Sequence, residues 1–243
     1  MKIIIALDDT DNYTSIGTGE LLEEMVAELA DKGWFTSEGV TRHQLPIMEN
    51  IRYTSHNSSM AVCGLSDFSV LREMTDFCEN YVRNYAAQGS DPGLCIVVPE
   101  LLDDKDRLLT YGMRALNQYI EKNEAYGLAE RLNGVHLSEH GGEGIGVIGA
   151  LAGASLRLGG NNGRFIGYFT LGECTETTVQ ELLAHPKIEE VRHVSGEAIT
   201  LTDAVKLGER LKTAYLNSKS VLMITGDRSG GYRTLNRQEM KVY

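Results

Sequence analysis

The chain has 243 residues, of which 42% are hydrophobic and 23% charged, and it carries a net charge of −11 at neutral pH. It is longer than the ~100–150 residues of one typical domain, so one large or two modest domains are expected. The acidic balance argues against a broad nucleic-acid surface, which needs clustered Lys and Arg, and no apolar run approaches the roughly 18–20 residues that span a bilayer.

Residues 2–8 of "MKIIIALDDTDNYTSIGTGELLEEM" read as a buried strand ending in three clustered acids, Asp8, Asp9 and Asp11. Strand-like sequence begins by Ile3 with no basic or long apolar region before it, so a secretory signal is not expected and the protein is expected to be cytoplasmic. From Thr18, the residues Leu21, Leu22, Met25, Val26 and Leu29 recur at helical spacing, and the pattern stops at Gly33. Strands are expected around 40–47 and 59–64, a helix over 67–87, and a short buried strand at "LCIVVP" (94–99). A long helical region follows Asp103, with a break near Asn123 or Gly127.

The glycine-rich segment "HGGEGIGVIGALAGASLRLGG" (140–160) comes next. Beyond it the pattern predicts strands at 164–171, 188–194 and 220–226, a short helix at 178–186, extended chain at 197–202 and a helix over 203–215. Alternating strands and helices favour a mixed α+β architecture. The composition marks no clean linker; a soft boundary falls between 125 and 160, and we set it at 125/126, placing the glycine-rich segment in the second domain. Cys63, Cys78, Cys95 and Cys174 are scattered without a CxxC pair, which excludes a zinc ribbon and suits reduced thiols.

Three polar clusters can carry chemistry. Asp8, Asp9 and Asp11 stand at the C-terminal end of a strand, where α/β folds bind ligands. Magnesium needs only one or two carboxylates to hold a metal–nucleotide complex. The alternative is that Asp8 and Asp9 cap a turn while Asp11 and Asn12 make local Asx bonds. Behind them Ser15, Gly17, Thr18 and Gly19 stand at a helix start, whose unpaired N–H groups favour phosphate; the alternative is Thr18 as a plain N-cap. The absence of GK[ST] excludes a P-loop. In the second cluster, "TRHQLPIMENIRYTSHNSSMAV" (41–62), Arg42, His43, Arg52 and His56 alternate with hydroxyl and amide side chains, suiting either an oxyanion loop or a solvated hairpin. The third holds a literal GxGxxG at Gly144, Gly146 and Gly149. As a dinucleotide fingerprint it is weak, because no buried strand runs into it and no acid stands clearly about 20 residues on. It reads instead as an anion or backbone-contact turn, or as small residues allowing close helix packing.

"IALDDTDNYTSIGT" resembles the N-terminal signature of the archaeal agmatidine synthases, the tRNA-isoleucine agmatinylcytidine synthetases. "YTSHNSSMAV" resembles their next motif, "GEGIGVIGALAG" their glycine-rich segment, and "SVLMITGDR" the end of their ferredoxin-like domain. The family uses ATP to phosphorylate a wobble cytidine at its carbonyl, so that agmatine displaces the phosphate. The resemblance implies a kinase-like domain followed by a ferredoxin-like domain, with ATP and Mg²⁺ as cofactors. It implies Asp8, Asp9 and Asp11 as metal ligands, with Asp9, Thr18 and His56 in the chemistry. Thr18 falls where the family carries a phosphorylatable threonine. Asp8, Asp11, Gly17, Ser55, Asn57, Gly144 and Gly146 would contact the nucleotide.

His56 stands where the family has Arg, and the family's OB-fold and zinc ribbon have no counterpart in these residues. The expectation is therefore an ATP-dependent phosphotransferase or ligase-like enzyme, acting on a small molecule or on tRNA presented by another subunit. No membrane partner is expected, and self-association is compatible with the sequence. A non-catalytic nucleotide sensor is the alternative. A haloacid-dehalogenase-like phosphatase fits poorly, because Thr14 stands one place late for its DxDx[TV] motif.

Overall fold

The computed structural model describes residues 1–48, 57–227 and 230–243. The fold is mixed α+β, and the chain divides into two compact units, Met1–Gly159 and Gly160–Tyr243.

In chain order the first unit contains β1 (Lys2–Asp8), α1 (Thr18–Asp31), β2 (Thr36–Gln44), β3 (Ser58–Leu65), α2 (Leu71–Tyr85) and β4 (Gly93–Val97). Then come α3 (Lys105–Ala115), α4 (Lys122–Ala129), β5 (Val135–Glu139) and α5 (Gly146–Gly159). The five strands form an antiparallel sheet in the order β5-β4-β1-β3-β2. Side chains alternate across a strand, so Ile4, Ala6 and Asp8 of β1 share one face. Ile4 and Ala6 join Ala61, Cys63, Cys95 and Val97 in a core completed by α3 and by Val147, Ala150, Leu151 and Ala154 of α5. The other parity, Ile3, Ile5 and Leu7, is fully buried on the opposite face, where α1 supplies Leu21, Leu22, Met25 and Leu29 as the spacing predicts.

Helix α5 lies closer to the sheet than a side-chain-bearing helix could. A Cβ on Gly149 would collide with the Asp8 carboxylate, and one on Gly153 with the Ser59 hydroxyl. Four residues further on, Arg157 reaches β2, where its Nη1 donates to Thr41 Oγ1 at 3.1 Å. Gly149, Gly153 and Arg157 thus follow one helix face across β1, β3 and β2. Ser155 fixes α3 by donating to Leu108 O at 2.5 Å and accepting Gly112 N–H at 3.1 Å.

These contacts place the division between the units at Gly159/Gly160, at the far end of the 125–160 window, and keep the glycine-rich segment in the first unit. The sequence reading set it at 125/126. Nothing in composition announces that α5 packs back against β1 rather than forward.

The second unit contains β6 (Arg164–Phe165), β7 (Glu176–Thr178), α6 (Val179–Leu183), β8 (Glu190–His193), β9 (Ala204–Lys206), β10 (Ala214–Leu216), β11 (Lys219–Gly226) and β12 (Tyr232–Thr234). Strand β11 is central, pairing antiparallel with β10 and β12 and parallel with β8. Its Leu222 and Ile224 enter a core with Val179, Leu182 and Val191, while Val221 and Met223 pack against Leu235 and Met240. Helix α6 begins with a capping box between Thr178 and Glu181. The β10–β11 turn holds Asn217 and Ser218 at φ of 52° and 58°, the left-handed pair that two-residue hairpins favour.

The helix expected over 203–215 is not formed. Ala204–Lys206 pairs with β7 and β12, and Ala214–Leu216 with β11, so sheet pairing overrides the helical spacing of Ala204, Leu207 and Leu211. The strand expected over 164–171 is confined to β6 and a bridge between Phe169 and Leu211. Strand β5, which the sequence reading did not assign, runs into the glycine-rich loop at the sheet edge. All four cysteines are unpaired, and Cys63, Cys78 and Cys95 are buried. Among the described residues no helix is long and apolar enough to cross a membrane.

Candidate functional site

Asp8 ends β1 on the face covered by α5. Its carboxylate lies beneath Gly149, and Gly146 stands over its carbonyl oxygen. Desolvation pushes the Asp8 acid well above its ordinary value of 3.8, and the charges of Asp9 and Asp11 push it further, against the hydrogen bond from the Asp9 backbone N–H. Three acids therefore interact at the strand end.

Asp9 has φ of 52°, a left-handed conformation that is uncommon outside glycine and concentrates at functional sites. Thr10 follows at 2% exposure, its hydroxyl without a hydrogen-bond partner while its carbonyl accepts the Ala87 N–H at 2.9 Å. A threonine inside an acidic run carries no periodic signal, so nothing in the sequence marks Thr10.

The chain then turns on Asn12, whose Oδ1 accepts the Thr14 and Ser15 N–H groups at 2.9 and 3.1 Å. Asn12 Nδ2 donates to Gln88 O at 3.3 Å, tying the loop to the segment after α2. The Asx turn expected of Asn12 is therefore present. Asp11 does something else: its Oδ1 accepts the Thr18 hydroxyl at 3.3 Å. Thr18 is the first residue of α1 rather than its cap. The cap is Gly17, which offers no side-chain acceptor, so the first N–H groups of α1 lack the usual capping oxygen.

The structure thus gathers Asp8, Asp9, Asp11 and Thr18 at one end of β1 and sets α5 over Asp8. The other expected contacts are placed differently. Asn57 is bonded to the chain after β2, with Nδ2 donating to Pro46 O at 2.7 Å and its carbonyl accepting Gln44 Nε2 at 2.6 Å. Ser55 and His56 lie outside the described residues. The Gly144 and Gly146 amides are already paired within the protein, Gly144 N–H to Asp91 Oδ1 at 2.9 Å and Gly146 N–H to Asp91 O at 3.0 Å. Asp91, the partner of both, was not singled out from the sequence, because an aspartate in "GSDPG" reads as an ordinary turn residue.

Among the described residues no three His, Cys, Asp or Glu side chains converge as a closed metal-holding group. The oxygen-only donors and the mutual repulsion of Asp8, Asp9 and Asp11 suit a hard cation. Such a cation as Mg²⁺ keeps several waters and takes one or two carboxylates together with phosphate oxygens. The residues therefore fit a metal–phosphate complex, not a cage made by the protein alone.

No protein-family model matches the chain, and no curated protein matches its sequence. Solved structures do. The apo form of an isoleucine-tRNA agmatidine synthetase, TiaS, matches with a TM-score of 0.52 and 20% identity over 64% of this chain and 35% of that one. Its complex with tRNA and ATP matches with a TM-score of 0.53 and 20% identity over 64% and 36%. The complex with tRNA, AMPCPP and agmatine gives 0.52 and 17% over 83% and 50%. The chain spans between about a third and a half of these proteins. At such identity the likeness speaks for architecture: the chain shares its α+β fold with part of the agmatidine synthetases.

Proposed function

We propose that the chain binds ATP with Mg²⁺ and acts as a phosphotransferase or ligase-like enzyme that activates an oxygen of its substrate. The observation that carries this reading is the strand end itself, where a half-buried, desolvated acid is pressed by two neighbouring carboxylates beside an α1 start without a side-chain cap. The likeness to structures solved with ATP or AMPCPP supports it.

In this reading Asp8, Asp9 and Asp11 hold the cation, which neutralises phosphate charge when bound. The α1 amides face the phosphates, and the Asp11–Thr18 hydrogen bond keeps the Thr18 hydroxyl at the phosphate end. Positioning and charge neutralisation supply most of the catalysis in phosphoryl transfer, so few proton-transferring groups are required. The substrate is a small molecule or an RNA presented by a partner, in keeping with the net charge of −11.

Titration calorimetry with Mg²⁺ and ATP tests the reading on the wild-type chain and on Asp9→Asn. Mg²⁺-dependent binding that disappears in the variant is expected; equal affinity in both sinks the assignment. Tight binding without ADP, AMP or phosphoprotein, across candidate hydroxyl- and carbonyl-bearing acceptors, converts the enzyme into a nucleotide sensor.

A further inference from the structure

The loop between β5 and α5 has the form that elsewhere holds an external anion, with successive backbone N–H groups turned inward. Gly142 and Gly144 have φ of 56° and 69°. The N–H groups of Glu143 and Gly144 converge on a single oxygen, Asp91 Oδ1, the second at 2.9 Å. Asp91 is only 8% exposed, and a Cβ on Gly142 would land on its carboxylate. A third tie comes from its main chain, whose carbonyl accepts the Gly146 N–H at 3.0 Å.

We propose that Asp91 is a positioning residue for the candidate site: its carboxylate is the resident anion of the glycine-rich loop, and by filling that loop it sets the first turn of α5 against Asp8. The inference rests on the metal–nucleotide reading of Asp8. Its mechanical part is steric. A Cβ on Gly146 would meet Asp91 O and would stand 2.6 Å from Gly93 N and 2.8 Å from Asp8 O, so the start of α5 is wedged between β1 and β4. One turn later Gly149 rests on the Asp8 carboxylate. Any movement of the loop therefore moves the lid over Asp8. Its electrostatic part is the pairing of one carboxylate oxygen with two N–H donors, a charge-assisted arrangement stronger than a neutral one. While Asp91 is in place, the Glu143 and Gly144 amides are not open to a nucleotide phosphate.

The test uses the full chain as wild type, Asp91→Ala and Asp91→Asn, with and without sodium formate as the replacement anion. Amide exchange at Glu143 and Gly144 and the thermal midpoint read the loop; calorimetry with Mg²⁺ and ATP reads the site. Asp91→Ala should lose protection at Glu143, and less at Gly144, whose N–H also reaches Gly141 O at 3.2 Å, and should weaken Mg–ATP by about 10- to 100-fold, the range for residues that orient ligating groups. Formate should restore both in that variant and do nothing to the wild type. Asp91→Asn, which keeps a carbonyl acceptor, should stay within about threefold of wild type, in line with a charged-to-neutral change at a retained hydrogen bond. If Asp91→Ala does not fold, Asp91→Asn and refolding of Asp91→Ala in formate carry the test.

A folded Asp91→Ala with wild-type affinity overturns the proposal, as does a loss that formate leaves unrepaired. Failure of the wild-type chain to bind Mg–ATP removes the nucleotide reading instead, while protection and formate rescue at Glu143 and Gly144 still decide whether Asp91 is the loop's anion.

Discussion

The Asp8 carboxylate fills the place where a side chain on Gly149 would stand. The helix and the acid are thus fitted to each other, and neither can change size alone. Gly149→Ala should force α5 away from β1 and destabilise the first unit by about 1–3 kcal/mol, the usual cost of overpacking. Denaturant unfolding measures it, and the double variant Gly149→Ala/Asp8→Ala should recover part of the loss.

Asp8 should itself be a source of instability. Its acid is raised in the folded state, so its favourable contribution is fully present below the ordinary value of 3.8 and is lost as pH rises through the raised folded value. Ionising Asp8 works against desolvation and against the charges of Asp9 and Asp11. Asp8→Asn should therefore melt higher than wild type, by about 2–4 °C if the relief is ~1 kcal/mol, while abolishing Mg²⁺-dependent nucleotide binding. Thermal melts across pH 4–8 check the sign: the gain should grow toward the alkaline end.

The second unit offers the opposite titration. Hydrogen bonds from Arg233, then the Asn236 N–H, hold the Glu239 carboxyl down at about 2. Its contribution is present above the ordinary value of 4.5 and lost as pH falls through about 2. The Glu239 side chain is 35% exposed, so solvent screening limits the effect of Glu239→Gln to about 1 kcal/mol or less at pH 7. Urea unfolding at pH 7, 4 and 2.5 should show the difference between variant and wild type shrinking with acid.

Arg157 is buried with its guanidinium directed to Thr41 and to Glu38 Oε2 at 3.7 Å. Truncation to alanine removes both the long apolar stem and the charge that Glu38 and Thr41 face. Arg157→Ala should cost about 3–5 kcal/mol, whereas Arg157→Met, which keeps the volume, should cost markedly less. Chemical denaturation of both variants distinguishes lost packing from lost charge.

Much of the first unit is readable from local pattern. The β-branched run before Asp8 and the Leu21–Leu29 stripe specify β1 and α1 because each element buries one face of its own sequence. The acids and Thr18 are readable for the same reason, since they lie within a few positions of one another at a strand-to-helix turn. Asp91 is not, because the amides it holds at Glu143 and Gly144 lie more than fifty positions later, and no local feature pairs them. The 203–215 segment fails in another way. Its apolar spacing is truly helical, yet Val205 and Leu211 are buried by strands elsewhere in the second unit, a partner that spacing alone does not disclose. Gly208 within that stretch was the available warning.

The glycines of α5 leave the face toward β1 and β3 smooth, and a smooth face by itself does not stop a helix sliding or turning. What fixes its longitudinal setting is the Asp91-bound loop before Gly146, the Ser155 hydroxyl held by α3 and the Arg157 guanidinium on Thr41. The ruler between them is the eight-residue interval from Gly149 to Arg157. Adding one residue inside that interval rotates everything beyond it by about 100°, which would swing Arg157 off β2 while leaving Asp8 covered. The spacing of Gly149, Gly153 and Arg157 is therefore a requirement of the site in its own right, on a helix that is buried from Gly149 to Arg157.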